Sequence, residues 1–188
     1  MVRRDQDPGK ARLAGYAAAS TGLALLSDRR LGELLAAAEP LGSGIGGALA
    51  RLRIGAVPVF VKKVPVTELE LRPDNVMSTA NLFGLPGFYQ YGIGSAGFGA
   101  WRELAAHVMT TNWVLADEHQ NFPPMYHWRV LPQPPADTDS DSDTAAAEQL
   151  EAGVEYWEGD PAVRGRLKAI RDARASLVFP RVRTRGRT

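Results

Sequence analysis

Three glycines and a lysine are the residues whose types and spacing could do chemistry. The stretch "LGSGIGGALARLRIGAVPVFVKKV", Leu41 to Val64, carries a G-x-G-x-x-G pattern at Gly42, Gly44 and Gly47, followed by the pair Lys62 and Lys63. Without side chains in the way, backbone N–H groups can close around a nucleotide phosphate, and a lysine on a neighbouring strand can neutralise its charge. Two kinds of loop share these glycines. One follows a buried strand and opens a helix to bind a dinucleotide; the other joins two antiparallel strands.

The flanking residues favour the second kind. What precedes Gly42 is "GELLAAAEPL", a helical composition closed by Pro40, not a buried strand. Glu68 or Glu70 falls near the distance expected of a ribose-binding carboxylate, but "LARLRI" alternates apolar and basic residues as a half-buried strand does. The β-branched run "VPVFVKKVPV" reads as the next strand, with Lys62 on one face and Lys63 solvated on the other. Further along, "WRELAAH" lies on a predicted helix that carries Glu103 between Trp101 and Leu104.

The other elements must position these groups. Residues 1–10 read as a flexible N-terminus. "ARLAGYAAASTGLALLSDRRLGELLAAAEPL" reads as one or two helices, with Ser27 or Asp28 as the N-cap of the second. Residues 67–99 are dense in Gly, Pro and aromatics and read as an ordered, mostly irregular connection. "MYHWRVL" is a strand candidate, and Trp101, Trp113 and Trp128 are expected in the core. Residues 133–150 have the composition of an acidic disordered linker, and 151–188 hold a basic helix, a final strand fragment and an Arg-rich tail.

With these residues in order, Leu41 to Leu131 resembles the N-terminal lobe of a protein-kinase-like domain, similar to actinobacterial members of that family. The resemblance implies an α+β fold: a small antiparallel sheet, an αC-like helix over Ala100 to Leu115, and here an N-terminal helical extension over the lobe (11–132). It implies an ATP-binding site with Gly42, Gly44, Gly47, Lys62 and Glu103 as contacts, and phosphoryl transfer as the family's chemistry. Two departures limit it. The span from Lys62 to Glu103 is about twice that of a compact lobe. No H-R-D-x-x-x-x-N or D-F-G motif occurs, so no catalytic residue is assigned and Mg²⁺ is not expected to be well bound. A lobe without its C-terminal counterpart would lack the hydrophobic floor of the pocket and bind ATP weakly. Its uncovered face would favour self-association or a C-lobe-like partner. The alternatives are a non-catalytic, pseudokinase-like regulatory module and a truncated gene product.

Composition bounds the rest. With 188 residues, 45% hydrophobic and 23% charged, the chain is of ordinary globular type, and no apolar run suits a membrane span. Zero cysteines exclude disulfides and thiolate metal sites and fit a cytoplasmic location. His107, His119 and His127 lack ligand-like spacing, so no metal is expected. The Arg-rich end has no interleaved aromatics, which argues against specific nucleic-acid binding.

Overall fold

The computed structural model describes residues 8–44, 47–133 and 140–182. Its architecture is α+β, with a five-stranded antiparallel sheet at the centre. Two helices come first, α1 (Pro8–Ala24) and α2 (Asp28–Ala36). Part of the expected loose terminus is therefore helical from Pro8, since proline at the first helical position sacrifices no hydrogen bond. Residues 1–7 lie outside the described residues. Ser27 caps α2 by accepting from the Arg30 N–H, satisfying a donor that the helix leaves unpaired.

The strands are β1 (Glu39–Gly44), β2 (Gly47–Ile54), β3 (Val57–Val66), β4 (Arg129–Pro132) and β5 (Ala175–Arg181), arranged β1-β2-β3-β5-β4. Alternation along the strands divides the side chains between two faces. On one face Leu52, Val59, Val61 and Val178 pack under Ala19, Leu23, Leu31 and Leu35 of α1 and α2. On the other, Val64, Val66, Leu177 and Phe179 pack against Ala100, Trp101 and Leu104 of α5 (Ala100–Leu115). The expected strand "MYHWRVL" is shorter than its pattern suggests. Arg129–Pro132 forms a ladder with β5 and Met125 an isolated bridge to Arg181, while Tyr126 turns into the core beside Tyr16, with ring centres 6.0 Å apart. Trp128 is 38% exposed and is not a core residue.

Two long connections link these elements, the first as irregular as its sequence suggests and the second more helical. The first, residues 67–99, is irregular apart from α3 (Glu68–Leu71), a 3₁₀ turn at Pro73–Asn75 and α4 (Gly87–Gln90). The second joins β4 to β5 and contains α6 (Ser140–Tyr156) and α7 (Pro161–Arg171). The stretch 133–150, expected as a disordered linker, is thus helical from Ser140, and residues 134–139 lie outside the described residues. Its Ala145-Ala146-Ala147-Glu148-Gln149-Leu150 run has high helix propensity, and packing on α7 buries Val154. The Arg-rich tail beyond residue 182 also lies outside the described residues. Asp160 caps α7 by accepting from the Ala162 and Val163 N–H groups.

The two connections pack on each other. Leu85 and Tyr89 from the first and Val163 from the second form a separate buried cluster, flanked by Phe83, Trp157 and Leu167. Trp157 meets Tyr89 edge-on, with ring centres 4.9 Å apart, a favoured aromatic geometry. Among the described residues no helix is long and apolar enough to cross a membrane. Leu23 is fully buried between α1 and the sheet, and Leu25 is 81% exposed. Leu23→Ala should therefore cost about 2–5 kcal/mol in chemical denaturation, while Leu25→Ala should stay within about 0.5 kcal/mol.

Candidate functional site

Register places the site. Lys62 on β3 lies opposite Leu49 on β2 and Phe179 on β5, so these three side chains share the sheet face that looks toward α5. The helix begins after Gly99, whose φ of +78° and ψ of 156° suit glycine almost alone. Its first turn carries Glu103, whose backbone N–H donates to the Gly99 carbonyl at 3.1 Å. Lys62 Nζ then donates to Glu103 Oε1 at 2.6 Å, closing an ion pair across 41 residues of sequence. The partners are only 15% and 19% exposed, so the pair is shielded well beyond a surface salt bridge.

A histidine adjoins the pair. His107, one turn further along α5, places Nε2 3.8 Å from the same Glu103 oxygen, close enough for attraction but too long for a good hydrogen bond. Burial pushes the Glu103 carboxyl up, but His107 and Lys62 together outweigh it and hold the group below the ordinary glutamate value of 4.5. The ring of His107 also lies against Phe179, with centroids 5.3 Å apart.

The three glycines occupy the β1–β2 hairpin, but only one adjoins this pair. Gly42 sits at a bulge, where Pro40 pairs with Ala50 and Gly42 with Leu49, leaving Leu41 extra. Gly44 pairs with Gly47 at the hairpin end, and residues 45–46 lie outside the described residues. Gly47 approaches β3 so closely that a Cβ would lie 2.2 Å from the Lys63 carbonyl oxygen, a contact no side chain could tolerate. It borders the same cavity as Lys62 and Glu103, whereas Gly42 and Gly44 lie on β1, the hairpin's outer strand.

That cavity has a volume of about 480 Å³. Val64 and Pro65 of β3 line it from the sheet, Phe98 from the loop before α5, and Arg166, Leu167 and Ile170 from α7. α7 thus lines this cavity from the same chain, on the side where the resemblance implies that a floor is missing. A second hollow of about 280 Å³ is bordered by Leu41, Leu49, Phe60 and Arg181. Phe60 and Arg181 face each other across β3 and β5 on the same side of the sheet as Lys62.

Sequence reasoning missed two charged residues beside this cavity. Glu70, considered only as a ribose carboxylate, is buried and closes a capping box with Thr67; the T-x-x-E spacing is a legible signal for that. Arg166 looked like one residue of a solvated basic helix but is 3% exposed, and no local pattern marks it. Among the described residues, no group of three or more His, Cys, Asp or Glu side chains could hold a metal ion. No family model, no curated protein and no solved structure matches the chain.

The depressed Glu103 titration sets a pH dependence. A carboxyl whose folded pKa lies below its unfolded value stabilises the fold above the unfolded pKa, and that contribution is lost as pH falls through the folded pKa. The stability gap between the native chain and Glu103→Gln should therefore be constant above the ordinary value of 4.5 and shrink on acidification. Denaturation curves between about pH 7 and about pH 3 measure it.

Proposed function

We propose that this chain is a nucleotide-binding lobe of protein-kinase type, which binds ATP without performing phosphoryl transfer by itself. The observation that carries the reading is the Lys62–Glu103 pair, at 2.6 Å, on the wall of a cavity bordered by Gly47 of the glycine hairpin. The order of parts along the chain also supports it: a glycine hairpin, a lysine strand, a glutamate helix and two further strands, as the resemblance implies. In this arrangement Glu103 holds the Lys62 ammonium extended toward the α- and β-phosphates instead of letting it fold back into solvent. The hairpin backbone supplies N–H donors above them.

The two hollows suggest how the ligand divides. The apolar faces of Leu49 and Phe60 suit a planar base in the 280 Å³ hollow, and the phosphates then extend toward Lys62. The sequence offers neither the catalytic-loop Asp and Asn nor the D-F-G Asp, so the base and the metal ligands of phosphoryl transfer are unassigned. A binding and regulatory role follows, with phosphate recognition by Lys62 as its chemical core.

Isothermal titration with ATP tests this. The expected dissociation constant is on the order of 1 mM, or about −4 kcal/mol, with little dependence on Mg²⁺. Lys62→Ala should weaken binding by about tenfold, the loss of one charge-assisted phosphate contact. Equal binding by the native and Lys62→Ala chains would overturn the assignment. Mg²⁺-dependent incorporation of labelled phosphate, abolished by Lys62→Met, would overturn the restriction to binding.

A further inference from the structure

We propose that Arg166 is a positioning residue for the Lys62–Glu103 site: from α7 it anchors Glu70, and through Glu70 it fixes the N-terminus of α5 one turn before Glu103. This deepens the nucleotide reading above and rests on it for its functional meaning. The contacts form a continuous path. Arg166 Nη1 lies 3.0 Å from Glu70 Oε2, with the two side chains 3% and 5% exposed. Its Nε donates to the Ala96 carbonyl at 3.2 Å, and its guanidinium lies 4.9 Å from the centroid of the Phe83 ring. Glu70 Oε1 in turn accepts from the Ala100 N–H at 3.3 Å, at the first residue of α5. The Trp101 indole donates to the Glu70 carbonyl at 2.8 Å.

The path continues to the lysine. Glu103 is tied to Gly99 through the first backbone hydrogen bond of α5, and a Cβ on Gly99 would lie 3.2 Å from Glu70 Oε1. Little slack exists between Glu70 and the helix start. Displacement of the α5 N-terminus moves Glu103 relative to Lys62 and so disturbs the 2.6 Å contact. The guanidinium pairs with Glu70 by charge, without a hydrogen bond from Nη1, and donates through Nε to Ala96, so its role differs from that of Lys62, whose ammonium faces the cavity. Because Arg166, Leu167 and Ile170 also wall that cavity, the docked position of α7 controls both the wall and the lysine's partner. The β4–β5 connection is in this sense a regulatory element for the site: undocking it disarms Glu103.

The test uses the full chain with Arg166→Met, which keeps the length and apolar stem but removes the charge. The first readout needs no nucleotide. The Glu103 carboxyl, faced by Lys62 and His107, is followed by carbon NMR against pH, and its midpoint should rise toward the ordinary glutamate value as α5 shifts. The second readout is ATP affinity. Arg166→Met should weaken it about tenfold in the native background and by less than about twofold in a Glu103→Gln background, since both changes act through one pair. If the single variant does not fold because Glu70 is left as an unpaired buried charge, Arg166→Met with Glu70→Gln takes its place with the same expectations. An unchanged Glu103 midpoint in a folded variant overturns the proposal. A raised midpoint with no ATP binding by either protein upholds the positioning role and overturns the nucleotide reading.

Discussion

A carboxylate taken out of water costs several kcal/mol unless its oxygens are fully engaged, and Glu70 is such a group. Its partners come from separate segments: the Thr67 backbone and hydroxyl, the Ala100 amide at the start of α5, and the Arg166 guanidinium on α7. No one segment can satisfy it alone. The long connection after β3, the α5 helix and the connection between β4 and β5 must therefore converge before the charge is stabilised. Net stability gained from the ion pair itself is modest by comparison with the geometric constraint it imposes. The arrangement of everything beneath the sheet follows from that constraint.

The sheet and its two faces divide the labour. One face is covered by α1 and α2 through an apolar core, with a hollow of about 610 Å³ left between α2 and the sheet, and carries Lys63 instead of Lys62. The other is only partly covered by α5, so Lys62 remains near a cavity instead of being sealed under side chains. Attraction from Glu103 and the proximity of His107 keep a charge cluster at the boundary between core and hollow. A half-buried lysine there is poised to meet an anionic ligand with less competition from water than a surface lysine would have.

Much of this was legible in the sequence because it depends on local periodicity. The alternation in "LARLRI", the β-branched "VPVFVKK" and the helical spacing after Gly99 identify two strands and α5 directly. The pairing of Lys62 with Glu103 was accessible only through the resemblance, since nothing local reports a contact across 41 residues. Residues 133–150 misled for a different reason. Their charge and low apolar content resemble a linker, and the helix from Ser140 combines the propensity of its alanine run with packing on α7, a tertiary contribution that composition does not carry. Arg166 was hidden for the same cause: its burial depends on Glu70, far away in the chain, and a basic helix face reads as solvated unless that partner is known.

The strand order has a kinetic consequence. β5 lies between β3 and β4 yet follows both in the chain, and it pairs Phe60 with Arg181, residues separated by most of the domain. During synthesis β1, β2 and β3 can zip together early, but the free edge of β3, with Val59, Val61, Val64 and Val66, must wait for residues 175–181 to emerge. Such non-local closure slows folding and leaves a β-branched edge open to pairing with other nascent chains. Lys62 and Lys63 lie in the middle of that edge, where paired positive charges repel a second copy of the same strand. The lysines that face the cavity and the opposite sheet face in the finished fold would thus act earlier as gatekeepers against misassembly.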